Sequence, residues 1–259
     1  MSLTDTTTNP TPSSADDGRR RVAVVTGGSR GIGRSVVERL AADGQDVVIV
    51  YAGDDVAAEE AVSAAAKHGV RAFAARADVA DADAVSAVFD RAEAELGGVD
   101  VVVNSAGVMK LAPIVDFDLD VLDAMHRTNI RGTFVVAQQA ARRVREGGAI
   151  INFSTSVVKL GLPGYGPYAA TKGAVDAVSG VLAKELRGRD ITVNAVAPGP
   201  TATELFLADK DEATIERMAG MNPMQRLGTP EDIAEVVSAL AGPARWINGQ
   251  TIYVNGGMA

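Results

Sequence analysis

A tyrosine and a lysine four residues apart, Tyr168 and Lys172 in "YAATK", are the pair in this sequence best suited to proton transfer. Residues four apart share one face of a helix, with Cβ atoms roughly 6 Å apart. A phenol ionises near pH 10, so acid–base work near neutrality requires its pKa to fall by about three units, or ~4 kcal/mol. An ammonium nearby stabilises phenolate, so the pair predicts a Tyr168 pKa lowered by Lys172. An exposed amphipathic helix face is the alternative explanation.

A glycine-rich loop, "TGGSRGIG" at residues 26–33, directly follows an apolar run and precedes a predicted helix. The spacing of Gly27, Gly31 and Gly33 in this loop differs from G-x-G-x-x-G. Glycines let the backbone turn sharply and approach a pyrophosphate, and the helix N-terminus offers free N–H groups. A tight turn without a ligand is the alternative, but the position between strand and helix favours a dinucleotide site.

The end of the second predicted strand indicates which dinucleotide is bound. An acid there would hydrogen-bond the 2′-hydroxyl of NAD(H) and repel a 2′-phosphate. Tyr51 and Ala52 occupy this stretch, and no acid appears before Asp54. Arg30 in the glycine loop could pair with a 2′-phosphate, or be a solvated loop cation. These residues favour NADP(H) over NAD(H), whereas Asp54 and Asp55 would favour NAD(H) if their side chains point inward.

Short β-branched runs alternate with alanine-rich helical patterns along the chain, which predicts a parallel sheet covered by helices on both faces. The predicted strands are 22–26, 46–51, 71–75, 99–104, 149–154, 191–196 and 251–254. Helices are predicted at 54–67, 81–96 and 168–187, and Thr229 is a predicted N-cap followed by Pro230. We find no linker or repeat, so we predict one domain over residues 21–259.

Composition excludes several classes of protein. The 259 residues carry a formal charge of -8, which argues against nucleic-acid and anionic-membrane partners. There is no cysteine, and two histidines make a metal site improbable. No apolar run reaches the roughly 20 residues of a membrane helix. Residues 1–20 are predicted to be a disordered tail without a signal peptide, ending in a solvated arginine run, and we expect a cytoplasmic location.

Several motifs occur together in one order: the glycine loop, "ADV" (77–79), "NSAG" (104–107), Asn129, the hydroxyls of 154–156, "YAATK" and "APGP" (197–200). With them the chain from Arg21 to Ala259 resembles the short-chain dehydrogenase/reductase family. It looks closest to the branch of ketoacyl reductases and polyhydroxynaphthalene-type reductases. The resemblance implies a single Rossmann-type domain with a doubly wound sheet of about seven strands. It also implies a homotetramer formed through long helices at about 117–145 and 168–187.

The resemblance implies a role for each residue of the acid–base set. Tyr168 would be the general acid that protonates a carbonyl oxygen. Lys172 would lower the pKa of Tyr168 and hold the nicotinamide ribose. Asn129 would kink its helix and hold a water in a proton relay to Lys172.

One position departs from the family pattern. The family usually has a serine thirteen residues before the tyrosine, where its hydroxyl holds the substrate oxygen. Counting back from Tyr168 gives Thr155, inside "STS". Threonine has the hydroxyl, but its methyl group narrows the choice of rotamers. A one-residue difference in the loop would select Ser156, and Ser154 is the remaining alternative.

The resemblance also implies a set of cofactor contacts. Asp78 would contact adenine with Val79 beside it, and Thr201 would offer its backbone N–H to the carboxamide. The complete set comprises Gly27, Ser29, Arg30, Gly31, Ile32, Gly33, Tyr51, Ala52, Asp78, Val79, Asn104, Ala106, Gly107, Tyr168, Lys172, Pro198, Gly199 and Thr201.

Residues 201–227 form a long insertion before the last predicted helix and carry Phe206, Leu207, Met218, Met221 and Met224. Flexible apolar side chains suit a lid over a carbonyl substrate, and a surface helical pair is the alternative.

We therefore predict an NADP(H)-dependent oxidoreductase that reduces a ketone, aldehyde or quinone-like carbonyl. An NAD(H)-dependent alcohol dehydrogenase of the same family, a non-catalytic dinucleotide-binding sensor and a methyltransferase are the alternatives. The intact set of Tyr168, Lys172 and Asn129 disfavours a sensor, which has no need of a tuned phenol. A methyltransferase shares the glycine loop but offers no use for Tyr168.

Overall fold

The computed structural model describes residues 19–208 and 210–259, so most of the predicted tail lies outside the described residues. The arginines that follow it are not simply solvated, as the sequence led us to expect. Arg20 donates to the carbonyl of Gly69 at 2.5 Å, and Arg21 donates to the carbonyl of Gly147 at 3.2 Å. Both therefore belong to the folded domain, because their guanidinium groups hold loops that are distant in sequence.

The described residues form a seven-stranded parallel sheet in the order β3-β2-β1-β4-β5-β6-β7. The strands are β1 (Val22–Thr26), β2 (Asp46–Tyr51), β3 (Ala72–Arg76), β4 (Val99–Asn104), β5 (Val144–Phe153), β6 (Thr192–Pro198) and β7 (Thr251–Val254). β1 lies between β2 and β4, so the direction of winding reverses there. Such a reversal leaves a crevice at the carboxyl ends of the strands.

Ten α-helices connect the strands within the described residues. They are α1 (Gly31–Ala42), α2 (Asp55–Ala66), α3 (Ala82–Leu96), α4 (Leu119–His126), α5 (Gly132–Arg143), α6 (Val157–Leu160), α7 (Gly166–Glu185), α8 (Glu204–Leu207), α9 (Glu212–Ala219) and α10 (Pro230–Ala241). Thr229 caps α10 as predicted, in a capping box with Asp232. None of the helices described is both long and apolar enough to span a membrane.

Alternate residues of each strand enter two separate cores, which is why the strands are apolar on both faces. Val24 and Val48 pack in one core with α3 and α5, whereas Val25 and Ile49 pack in the other with α1 and α10. The predicted Rossmann-type doubly wound sheet is confirmed.

Some strand boundaries differ from the prediction. β3 begins one residue later because the Arg71 side chain binds Asp46 beside the strand. β5 begins at Val144, and its register with β4 shifts between Val99 and Val101. β6 continues to Pro198, which is tolerated at the end of a strand because proline lacks only the donor.

The predicted long helix over 117–145 is interrupted. A π-helical turn, Arg127–Arg131, separates α4 from α5 and contains Asn129. The Asn129 amide binds both the N–H and the carbonyl of Val108 at 2.9 Å. These bonds anchor the turn to the loop after β4, and such π-turns are frequent at functional sites.

Candidate active site

The glycine loop joins β1 to α1 at the sheet reversal, and its backbone conformation explains the glycines. Gly31 has φ +54, in the left-handed region that favours glycine. A Cβ on Gly33 would lie 2.1 Å from the carbonyl oxygen of Gly27. No side chain of the described residues caps the N-terminus of α1 at Arg30. The loop therefore presents free N–H groups at a helix N-terminus, and it fits the phosphates of a dinucleotide.

The acids after β2 are committed to local contacts. The Asp54 carboxylate caps α2 by accepting from the N–H of Ala57 at 2.9 Å. Asp55 lies 4.0 Å from Arg76, and its hydrogen bond with Tyr51 raises the pKa of that phenol. Asp54 nevertheless lines the cavity, as the NAD(H) alternative requires, although its carboxylate already caps α2, whereas Asp55 does not line the cavity.

Arg30 is exposed at the rim of the cavity and has no ion-pair partner among the residues described. Its guanidinium is thus available to an anion at this end of the crevice. The geometry is what a 2′-phosphate would require.

The cavity wall continues along the carboxyl ends of β3 and β4. Asp78 and Val79 line it, with Asp78 bound to Arg127 at 2.7 Å. Asn104 does not line the cavity, contrary to the prediction. Its side-chain amide is buried at the end of β4, where it accepts a hydrogen bond from Thr26 Oγ1 at 3.0 Å. Ser105, which the sequence analysis missed, takes the wall position beside Ala106 and Gly107.

Tyr168 and Lys172 lie on one face of α7, and both line the cavity. The Lys172 Nζ is 5.9 Å from the centroid of the Tyr168 ring and donates to the carbonyl of Phe153 at 2.7 Å. Burial lowers the pKa of Lys172 to about 8.

The predicted lowering of the Tyr168 pKa is wrong for this structure. Burial raises the pKa of Tyr168, and Tyr165 adds to the rise. Burial disfavours the charged phenolate, and Lys172 turns its ammonium toward a backbone carbonyl. The Tyr168 phenol is therefore a weaker acid in this structure than a phenol in water.

Asn129 is fully buried and does not line the cavity. Its amide also donates to Thr171 Oγ1 at 3.0 Å, and its carbonyl accepts from Thr133. Of the two neighbours Thr128 and Asn129 on the π-turn, Thr128 lines the cavity and Asn129 does not. Asn129 thus connects the turn to α7 one residue before Lys172.

The three hydroxyls after β5 have different partners. Ser156 donates to the carbonyl of Ala197 and accepts from Asn255, each at 3.1 Å. Thr155 Oγ1 has only a long contact of 3.4 Å, from the N–H of Val157. All three residues line the cavity. Ser156 is therefore tied to β6 and the C-terminal segment, whereas the Thr155 hydroxyl keeps its hydrogen-bonding capacity.

The far end of the cavity is formed after β6 by Pro198, Gly199 and Thr201. A Cβ on Gly199 would lie 2.7 Å from that of Asn255, so the two segments approach closely. Thr201 forms an isolated parallel bridge with Gly228, and the Gly228 N–H donates to Pro200 at 2.9 Å. The two ends of the insertion over residues 201–227 therefore lie side by side next to the end of β6.

The insertion contributes part of an apolar wall around a cavity of about 910 Å³. Phe206 and Met218 line the cavity, whereas Leu207, Met221 and Met224 do not. Met221 and Met224 are exposed to solvent instead. Further wall residues that sequence reasoning missed include Met109, Leu160, Leu162, Tyr165, Leu205 and Met258. They come from separate segments that only the fold brings together.

Comparisons with known proteins agree with this geometry. Residues 27–259 match a family model described as "Enoyl-(Acyl carrier protein) reductase". A short-chain type dehydrogenase/reductase of Picea abies is 44% identical, with 92% of each chain covered. NADPH-dependent aldehyde reductase 2, chloroplastic, of Arabidopsis thaliana is 40% identical, covering 92% of this chain and 93% of that protein.

A solved structure gives the same result. A short-chain dehydrogenase from Burkholderia cenocepacia, in complex with NADP, is 38% identical and superposes with a TM-score of 0.86. The match covers 93% of this chain and 98% of that one. The sequence family, the sheet order and the site thus agree, and the chain belongs to the short-chain dehydrogenase/reductase family.

Proposed function

We propose that this protein is an NADP(H)-dependent reductase of ketones, aldehydes or quinone-like carbonyls. The observation that carries the proposal is the partly buried Tyr168 beside the buried Lys172, on the wall of a cavity that begins at the glycine loop. The aldehyde reductase relative and the NADP complex support the choice of nucleotide and reaction. Arg30 without an ion-pair partner in the described residues supports it independently.

The glycine loop would hold the pyrophosphate, and Arg30 the 2′-phosphate. Asp78 and Val79 would contact the adenine, and Pro198, Gly199 and Thr201 the nicotinamide end. When bound, the reduced nicotinamide supplies the hydride that reduces the carbonyl carbon.

Tyr168 donates its proton to the carbonyl oxygen, so that hydride and proton together convert C=O to CH–OH. The phenol is protonated before the reaction, but burial makes it a weaker acid, so proton transfer would depend on the Lys172 ammonium stabilising the phenolate as it forms. Lys172, with a pKa of about 8, then stabilises the phenolate and can return a proton to it, since phenolate is the stronger base. Thr155 would hold the substrate oxygen by hydrogen bonding.

The substrate would be bulky and largely apolar, because apolar and aromatic side chains such as Leu160, Tyr165, Phe206 and Met218 line the same cavity as the hydroxyls. The insertion over residues 201–227 would act as its cover. We also propose a homotetramer assembled through α4, α5 and α7, whose exposed faces carry Leu119, Phe134 and Val181. The cytoplasmic location stays a prediction, and a relative is named as chloroplastic.

The proposal is tested by following nicotinamide absorbance with NADPH and with NADH against a panel of ketones, aldehydes and quinones. Tyr168→Phe should lower kcat by about 10²–10⁴-fold, because it removes the proton donor, while Kd for NADPH changes less than about threefold. Tyr165→Phe is the matched control on the same wall and should keep kcat within about threefold.

Absence of both turnover and nucleotide binding in the wild type would overturn the proposal. Full activity in Tyr168→Phe would assign the proton donor elsewhere. Tight nucleotide binding without turnover on any carbonyl would favour the sensor.

A further inference from the structure

Asp176 continues the spacing that links Tyr168 to Lys172, one helical turn further along α7. Its carboxylate is partly buried and accepts a hydrogen bond from Thr251 Oγ1 on β7 at 3.1 Å. The buried Ser154 hydroxyl faces the same carboxylate, although its geometry falls short of a regular hydrogen bond. Asp176 is thus held between α7, the end of β5 and the start of β7.

Lys172 has no carboxylate within 4.0 Å among the residues described, although its side chain is buried. Burial lowers its pKa, and the charge of Asp176 opposes that effect. In turn, Ser154, Thr251 and Lys172 each oppose the rise that burial causes in the pKa of Asp176. Asp176 is therefore the acid that favours the charged ammonium.

Most of the basic groups on segments packed against α7 have partners of their own. Arg127 binds Asp78, Arg131 binds the carbonyl of Ala80, and Lys159 lies over the ring of Tyr253. Arg143 pairs with Asp90 and Arg145 with Asp100. The remaining ionisable groups on these segments are Asp120, Asp123, His126, Arg142 and Glu146.

We propose that Asp176 is a positioning residue of the reductase, whose carboxylate, anchored by Thr251, keeps the buried ammonium of Lys172 charged. The inference rests on the proposed function for its catalytic consequence. Residues one turn apart share one face of a helix, with Cβ atoms roughly 6 Å apart, so the two side chains are neighbours on α7 although they form no ion pair within 4.0 Å. Opposite charges beyond contact distance still attract each other where the protein partly excludes water. Without Asp176 a larger fraction of Lys172 would be neutral above pH 7, and the phenolate of Tyr168 would lose its counter-charge.

The charge of Lys172 can be measured directly, because the chain has six lysines. Lysine labelled with ¹³C at Cε gives few NMR signals, and the Lys172 signal is the one missing from Lys172→Met. We expect this signal to titrate near pH 8 in the wild type, and about one unit lower in Asp176→Asn. Glu185→Gln removes the same charge from an exposed position on the same helix and should leave the titration unchanged.

The pH profile of carbonyl reduction provides the second readout. In Asp176→Asn the upper limb of kcat should move down by about one pH unit, with little change near pH 6, because Lys172 is charged there in both proteins. Asp176→Glu, which keeps the carboxylate, should restore most of the wild-type profile.

A Lys172 titration that is the same in Asp176→Asn and the wild type would overturn the inference, even if kcat fell, since the role would then be structural. If Asp176→Asn does not fold, Thr251→Val, which releases the carboxylate, should lower the titration point by a smaller amount. No shift in that variant would also overturn it. A shifted titration in a protein without carbonyl reduction would instead contradict only the proposed function.

Discussion

Arg30 stands at the N-terminus of α1 with its guanidinium exposed beside the cavity. A charge-assisted hydrogen bond contributes about 1.5–3 kcal/mol, so Arg30→Ala should raise Kd for NADPH by about tenfold to a hundredfold. Kd for NADH should change less than about twofold, because NADH has no 2′-phosphate. Fluorescence titration with both nucleotides measures the difference.

Arg34, one turn further along α1, provides the control. It pairs with Glu38 at 2.5 Å and does not line the cavity, so Arg34→Ala should leave both constants near the wild-type values. Equal weakening of NADPH and NADH by Arg30→Ala would contradict a role in phosphate recognition.

The hydroxyls of Thr155 and Ser156 have separable roles at this scale. Thr155→Val removes a hydroxyl that has one long contact, and we expect kcat/KM for the carbonyl to fall by about a hundredfold. Ser156→Ala removes a hydroxyl bound to Ala197 and Asn255, so it should lower stability by about 1 kcal/mol with a smaller effect on turnover. Steady-state kinetics and urea unfolding distinguish the two, and the reverse pattern would select Ser156 as the substrate contact.

At the scale of elements, one ion pair connects β2, the residue before β3 and the end of α3. The Asp46 side chain is completely buried and is bound by two nitrogens of Arg71, whose own side chain is 57% exposed and also donates to the carbonyl of Glu95. Arg71→Met leaves the buried carboxylate without its main side-chain partner but keeps the Arg71 N–H bond to it, so it should lower the free energy of unfolding by about 2 kcal/mol. Urea unfolding measures the loss.

Arg76→Met is the matched control at the opposite end of β3. Arg76 and Asp55 are both more than half exposed and 4.0 Å apart, so this change should cost less than about 1 kcal/mol. Because Asp46 lies at the amino end of the sheet, Arg71→Met should retain kcat in native buffer. A loss of stability no larger than that of Arg76→Met would show that the pair is dispensable.

The elements also show how far sequence reasoning extends. Strands such as β1, β2 and β4 were predicted to the residue, because apolar runs bounded by polar residues carry a local signal. The resemblance implied a kink at Asn129, and the π-turn at Arg127–Arg131 contains that residue. Periodicity alone gave no sign of the kink, because the Asn129 side chain binds Val108, which is distant in sequence. Asn104 was predicted to line the cavity because it is close in sequence to Ala106 and Gly107. Its side chain is bound instead by Thr26 on a different strand, a contact that the motif does not reveal.

At the scale of the whole molecule, the exposed apolar side chains of α4, α5 and α7 favour assembly. Analytical ultracentrifugation should give a mass four times the 26.7 kDa of one chain. Phe134→Lys places a charge on the half-exposed face of α5 and should reduce that mass, because burying an unpaired charge is costly. Val56→Lys, on the exposed face of α2, is the control and should leave the mass unchanged. A monomeric wild type would contradict the proposed tetramer.

The parallel bridge between Thr201 and Gly228 fastens both ends of the insertion to one point beside β6. The bridge therefore separates the sheet from changes in the segment between those ends. The entropic cost of closing a loop also grows only slowly with its length. A change in the length of the segment between these ends should therefore cost little stability and leave Pro198 and Gly199 in place, while it reshapes the part of the cavity wall that Phe206 and Met218 form.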